Sequence, residues 1–321
     1  MTILATSLIV FLATQALPSD PARVILGPEA SEASLAILRG QLGLDQPLPQ
    51  QYAAWINGVL QGDFGRSLDS SVAVKDILAQ RVDASLALLF WVLALAVPLS
   101  LVTGIWLARR ADRLADRMGL TLLILVKALP AFVIGILLVM IFATGSLRLL
   151  PAVSLLNPNA TAFFQFEYLV LPVATLVLSI MPYLVRLVRS AMIEALAADH
   201  VTAARLRGIP ERRLVWRHAF PGAVVPTIQG VALMTRVLLG GVIVVEVVFA
   251  YPGLGTAINS AIEMRDVPVI QAIAVLIAAG VVIVNLIADT LTVLLTPRLR
   301  TADRPAIQPG TRARLRQEAG I

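Results

Sequence analysis

The chain has no cysteine and only two histidines, His200 and His218. Disulfides and thiolate metal sites are therefore excluded. The two histidines, 18 residues apart beside Asp199 and Arg217, read as solvated loop side chains rather than a ligand pair, so no metal is assigned. Charge is scarce: Asp, Glu, Lys and Arg make up 14% of 321 residues, against about 25% in an ordinary soluble domain. Catalytic signatures are absent as well. Neither GxSxG nor HExxH occurs, which leaves no nucleophile elbow and no helical zinc site. GDFGRS at 62–67 has glycines but not the GxxxxGK[ST] pattern of a phosphate-cradling loop, so the chain has no nucleotide site. Catalysis has no support, and no cofactor is implied.

What is present is apolar sequence. Hydrophobic residues reach 58% and the mean hydropathy is +0.84, the composition of an integral membrane protein. Runs near the roughly 20 residues needed to cross a bilayer occur at 84–108, 118–145, 168–193, 222–250 and 268–296. A shorter run, 3–17, resembles a signal-peptide core, but no Lys or Arg precedes it; we read it as a first transmembrane helix whose start is cut short. The expected fold is all-α with six transmembrane helices.

The excess of six positive charges is not a nucleic-acid patch, because it is distributed by loop. Seventeen Lys and Arg fall in 109–117, 186–220 and the tail from 297, against seven in 18–83 and the loops of Arg148 and Arg265. Positive loops stay in the cytoplasm, so both termini are expected there. Four segments follow: a first helix, 1–17; an external segment, 18–83; a five-helix core, 84–296; and a cytosolic tail, 297–321. In the external segment Leu35, Leu38, Leu42 and Leu44 form part of a helical stripe, and Tyr52, Trp55, Ile56, Val59 and Leu60 form another. This segment reads as a small packed cap. The tail is polar and contains Pro and Gly, a mobile segment attracted to anionic lipid head groups.

Between the third and fourth long runs, and overlapping the start of the fourth, lies VTAARLRGIPERRLVWRHAFPGAVVP, residues 201–226. Ala197, Val201, Ala204 and Leu206 are expected to share one helix face, with Asp199, Arg205 and Arg207 on others. Gly208 permits the left-handed turn that ends a helix, and Pro210 suits the first turn of the next. The pattern predicts two short helices meeting at Ile209. On physics alone an amphipathic connector lying on lipid head groups fits as well, with Arg205, Arg207, Arg212 and Arg213 as anchors.

At these residues the sequence resembles the cytosolic coupling loop of ATP-binding-cassette importer permeases, whose pattern is EAA, three residues, Gly, nine residues, then I-x-L-P. Ala203, Ala204, Gly208, Phe220 and Pro221 fill the Ala, Ala, Gly, Leu and Pro places, while Thr202 stands where the Glu would be. That departure is similar to the dipeptide, oligopeptide and nickel branch, with its RTARAKG loop. The resemblance covers nearly the whole chain: PSDPA at 18–22, LRGQLGLDQPLPQQYAAW, GDFGRS, LLGGVIVVEVVFAYPGLG at 238–255, RDVP at 265–268, NLIAD at 285–289 and TPRLR at 296–300. Thr296 departs from the branch's usual Asp. The resemblance implies a type I importer permease fold in a bacterial cytoplasmic (inner) membrane. It further implies a non-hydrolytic, multi-pass subunit that pairs with a second permease, two cytosolic ATPases and an external solute-binding protein. Thr202, Ala203, Ala204, Arg207, Gly208, Ile209, Pro210, Phe220 and Pro221 would form the ATPase contact, and the solute would be a peptide or a related small molecule. The competing class is a secondary transporter driven by an ion gradient, which often carries inverted repeats; no convincing repeat is found. A purely structural scaffold is the third reading.

Lys127, Arg236, Glu246 and Asp289 lie inside predicted spans, where an ionised side chain is costly and faces a partner or a water-filled cavity. Lys127 and Asp289 reach similar depths, about 10–14 Å from the cytosolic ends, so an ion pair is expected, with Asn285 on the same helix face as Asp289. Arg236 is a candidate for meeting a solute carboxylate in the translocation path. Glu246, beyond the flexible Gly240-Gly241 pair, is a candidate for an amino group at the external gate. Pro130, Pro172 and Pro182 are expected to kink their helices.

Overall fold

Long apolar runs in a chain without water partners must satisfy their own backbone, and the helix does this within one segment. The computed structural model describes residues 2–15, 21–27, 29–41, 43–145, 148–157 and 160–295, and helices dominate them. The PSDPA positions 18–20, Leu42, and the tail with Thr296 and TPRLR lie outside the described residues. Four helices are long and apolar enough to cross a membrane. These are α5 (Val74–Ala108), the stretch Glu211–Gly241, α8 (Phe166–Ala197) and α14 (Val267–Leu295). A fifth arises if α6 (Leu114–Ala128) and its continuation through Thr144 count as one broken span, bent by 94°. α1 (Thr2–Gln15) is apolar but shorter.

The 118–145 run is thus not one straight helix. Pro130 has no N–H and holds an extended ψ of 147°, so α6 stops at Leu129 and α7 (Ala131–Val139) restarts in a new direction. A π turn, Met140–Thr144, follows. Pro172 and Pro182, by contrast, are both buried inside α8, which continues through them. The 222–250 run divides where Gly240 and Gly241 predicted a bend: α11 (Phe220–Gly241) ends and α12 (Ile243–Val248) begins.

Lipid tails are as apolar as leucine, so helices in a membrane are held by close packing, which small residues permit. α8 is the central post, with α5 along it and α6, α7 and α11 around it. Ala84, Ala87, Leu88, Val92 and Ala96 of α5 are buried against Leu169 to Leu184 of α8. A Cβ on Gly104 of α5 would stand 2.7 Å from Val188 Cγ1 and 3.0 Å from Val185 O, so only glycine allows this approach. α14 is tied to α1 by a buried hydrogen bond, 2.7 Å from Gln271 Nε2 to Thr14 Oγ1.

Within 18–83 lie three short helices, α2 (Pro21–Leu26), α3 (Glu32–Gln41) and α4 (Leu48–Leu60), the last two at the two expected stripes. Leu35 is fully buried. Tyr52 and Trp55 of α4 cluster with Phe11 of α1 at ring separations of 5.4–5.9 Å. Leu60 departs from the expected stripe and is exposed. GDFGRS forms a turn, with Gly62 and Gly65 at positive φ. Its Ser67 hydroxyl donates to Asp266 Oδ2 at 2.5 Å, and the Leu68 N–H donates to Oδ1 at 3.1 Å. Asp266, buried to 4% exposure, thereby latches this segment to the base of α14.

Candidate functional site

The 199–221 loop is built on the C-terminal end of α8. Ala198 takes an extended ψ of 143° and breaks the helix, and α9 (Asp199–Leu206) starts in a new direction. Val201 and Ala204 are buried with Val188, Met192, Ile105 and Ala108. Ala197 and Leu206, expected on the same face, are exposed instead, Leu206 to 85%. The reason is the break at Ala198, which puts Ala197 on another helix, and the cap at Gly208, which turns Leu206 outward.

That cap is complete. Gly208 has φ +78°, its N–H donates to Arg205 O at 3.0 Å, and the Ile209 N–H donates to Ala204 O at 3.3 Å. These are the two crossed bonds of a Schellman stop, and half-buried Ile209 packs on the cluster that includes Ala204. Pro210 then caps α10 (Glu211–Arg213). The second helix is not short, as expected from sequence. It passes through a π turn, Leu214–Ala219, directly into α11. Leu214, Val215 and Ala219 are buried under α9, while Trp216 stacks at 5.4 Å from the Phe220 ring.

The result is a rigid hairpin whose inner face is anchored to α5 and α8 and whose tip is open. Thr202, Ala203, Leu206, Arg207, Gly208, Pro210 and Pro221 are exposed. Arg205 Nε donates to Glu211 Oε1 at 2.8 Å across the turn. His200 Nε2 lies 3.2 Å from His218 O, a hairpin brace rather than half of a metal pair.

An unpredicted ion pair ties α6 to α8. Arg189 of α8 holds Asp116 of α6 by two bonds of 2.6 Å each, and the Asp112 N–H adds a third at 3.0 Å. Asp116 is 1% exposed. Both residues read in sequence as juxtamembrane charges; nothing local marks partners 73 positions apart.

The intramembrane candidates separate. Lys127 and Asp289 do not form the expected ion pair; neither has an ionic or hydrogen-bonded partner among the described residues. Equal depth does not fix the direction in which a helix face points, and α6 packs on α8 rather than on α14. Asn285 instead accepts from Arg236 Nη1 at 2.6 Å. Glu246 is 1% exposed and does not await an amino group. Ser85 Oγ donates to its Oε1 at 2.9 Å, and the N–H groups of Gly255 and Thr256 donate to Oε2 at 2.6 and 3.1 Å. It caps α13 (Leu254–Glu263). The glycines of YPGLG are needed for this: a Cβ on Gly255 would lie 2.6 Å from Ile243 Cα and 2.8 Å from Glu246 Oε2. Tyr251 is buried beside it and donates to Ala84 O at 2.6 Å. Burial, aided by the charges of Glu246 and Asp83, raises its pKa and keeps the phenol protonated as that donor.

Among the described residues no cluster of three or more His, Asp or Glu is placed to hold a metal. The open volumes include an apolar groove of about 400 Å³ between α5, α11 and α14, and a basic groove of about 670 Å³ between α6 and α8 that includes Lys127.

Comparison with known proteins gives this geometry a family. Residues 100–301 match the binding-protein-dependent transport system inner membrane component, and residues 1–89 match the N-terminal domain of the same membrane component. The chain is 38% identical over 299 residues to the glutathione transport system permease protein GsiC of Salmonella paratyphi A, covering 93% of this chain and 95% of that one. GsiC of Escherichia coli K12 is 36% identical over the same shares. The probable peptide ABC transporter permease protein y4tP of Sinorhizobium fredii is 34% identical over 291 residues, 91% of this chain and 93% of that one. With helices dominating the described residues, a hairpin at the C-terminal end of its central post and family matches on both sides of residue 90, the chain belongs to the inner-membrane components of binding-protein-dependent transport systems and is a permease of the ABC-importer class.

Proposed function

We propose that this permease carries glutathione, a short peptide or a solute of similar chemistry into the cytoplasm, driven by ATP hydrolysis in separate partner chains. The capped hairpin at 199–213 is the observation that carries this reading. A helix stopped by two crossed backbone bonds and anchored on buried Val201, Ala204, Leu214 and Val215 is stiff enough to transmit a push. Its continuity with α11 makes the span a lever, the kind of rigid-body device by which closure at one site moves elements at another. Thr202, Ala203, Ala204, Arg207, Gly208, Ile209, Pro210, Phe220 and Pro221 form the proposed ATPase contact. The names of the relatives support the solute class.

In this reading six helices cross the membrane, 18–83 lies outside, 84–296 forms the core, and 297–321 joins both termini in the cytosol; the loop bias of Lys and Arg supports the orientation. The partners are a second, different permease, two ATPases and an external binding protein. Lys127, Arg236 and Asp289 remain the path candidates, whereas Glu246 serves the outer turn.

Affinity purification of the tagged chain from its native membranes in mild detergent tests the assembly. Mass spectrometry should recover a second permease and two ATPases per complex. Recovery alone or as a homo-oligomer, even after mild crosslinking, would contradict the proposal.

A further inference from the structure

Four cations of the membrane-embedded helices, Lys127, Arg186, Arg189 and Arg236, fall into two groups. Arg189 is neutralised by Asp116, and Arg236 is held by Asn285, each at 2.6 Å. Lys127 of α6 and Arg186 of α8 have no such partner among the described residues, and both open into the same groove. Tyr183 and Ser190 also line it, and neither hydroxyl bonds to another part of the chain. No acidic side chain is among the lining residues. Two unpaired cations and two free hydroxyls thus line one open groove, in which Lys127, Arg186 and Ser190 are exposed and Tyr183 is half-buried.

A cation within the bilayer is costly unless water or a counter-ion meets it. Two sharing a groove also repel each other, most strongly where the dielectric is low. Elsewhere the chain gives such a cation a partner, a carboxylate for Arg189 and a neutral amide for Arg236, so the charge here is free for something the chain does not supply. The groove volume of about 670 Å³ falls within the roughly 300–1,000 Å³ of small-molecule sites. Lys127 lies 9 residues inside the apolar run that begins at Met118, about 14 Å along the axis. At that depth an anion that meets Lys127 has passed below the lipid phosphates, while Arg186, one turn from Arg189, lies nearer the end of α8.

We propose that Lys127 and Arg186, with the hydroxyls of Tyr183 and Ser190, form an anion-binding station that receives a carboxylate of the translocated solute. Arg186 supplies a planar fork suited to a carboxylate, and Lys127 a mobile point charge. The hydroxyls add donors that do not raise the charge. This inference rests on the importer reading for its direction of passage and names the solute as a carboxylate-bearing one.

The natural absence of cysteine allows a test that needs no knowledge of the solute. Ser190→Cys is introduced as a sensor, and the full complex is placed in nanodiscs. Its modification by anionic 2-sulfonatoethyl methanethiosulfonate and by the cationic trimethylammonioethyl reagent is then timed by mass spectrometry of this chain. The anion-to-cation rate ratio, scaled to that of a free thiol, should be about tenfold or more, a local potential of a few kT. It should fall to about one when Lys127→Gln and Arg186→Gln are added. A ratio near one with both cations present overturns the proposal, as does failure of both reagents to react. A preference seen in phosphatidylcholine discs but lost with phosphatidylglycerol assigns the site to lipid head groups and also overturns it. Partner recovery by affinity purification reads the importer assignment separately.

Discussion

Replacing Gly208 isolates what the hairpin tip contributes. Its φ of +78° is costly for a residue with a Cβ, yet a Cβ there would meet nothing within 4 Å. In the free chain the penalty for Gly208→Ala is therefore backbone strain alone, about 1–2 kcal/mol. That corresponds to roughly 5–30-fold in a local equilibrium, enough to loosen the two capping bonds at Arg205 and Ala204 and too little to expel α11 from the bundle. Gly208→Val adds β-branching and should cost more, whereas Gly208→Asn tolerates the left-handed region better. The assay pairs hydrogen exchange of the 204–209 amides with solute uptake per ATP hydrolysed in the reconstituted complex. Ala and Val should lose protection about 5–30-fold or more and lower the uptake ratio, with normal membrane insertion; Asn should keep most of the protection. Unchanged protection in the Val variant would refute the capping argument, and wild-type uptake per ATP in both Ala and Val would refute the coupling role.

Three further substitutions probe the scaffold. Glu246→Leu leaves the buried amides of Gly255 and Thr256 without their acceptor, at about 1–3 kcal/mol each, so the melting temperature in detergent should drop; Glu246→Gln should be milder, and an unchanged Leu variant would contradict the cap. Asp116→Leu or Arg189→Met alone should destabilise by about 3–5 kcal/mol, and the double variant should recover most of it, because an uncompensated buried charge costs more than an apolar pair; additive losses would count against the pairing. Asp266→Ala removes the acceptor of Ser67 and Leu68, so external protease should cut 61–73 faster in intact spheroplasts, and equal cutting rates would show that the latch does not hold the segment.

The spans were legible because a helix surrounded by lipid has to be apolar along its whole length, which any sliding window detects. Gly208 was legible for another reason: a C-cap is local chemistry, written within five residues. Partnerships across helices were not. Depth can be counted in residues, but the angular position of Lys127 on α6 relative to Asp289 on α14 depends on packing around α8, and the pair expected from depth is absent. Asp116 and Arg189 were hidden for the converse reason, since each resembles an ordinary positive-inside flank. Glu246 was misread because an acid inside an apolar run has two explanations, a path and a cap. Only the fold of YPGLG back onto its carboxylate distinguishes them. The stripe through Ala197 and Leu206 assumed one continuous helix, which Ala198 interrupts.

The central claim is that an ATPase grips the tip of the 199–213 hairpin. A single cysteine at Leu206, the most exposed large apolar residue of the hairpin, is the direct test in this cysteine-free chain. Labelled with a photoactivatable benzophenone maleimide in native membranes, Leu206→Cys should crosslink to an ATPase subunit, while Leu60→Cys on α4 should not. Absence of an ATPase adduct at Leu206, or equal adducts at both positions, would contradict the account.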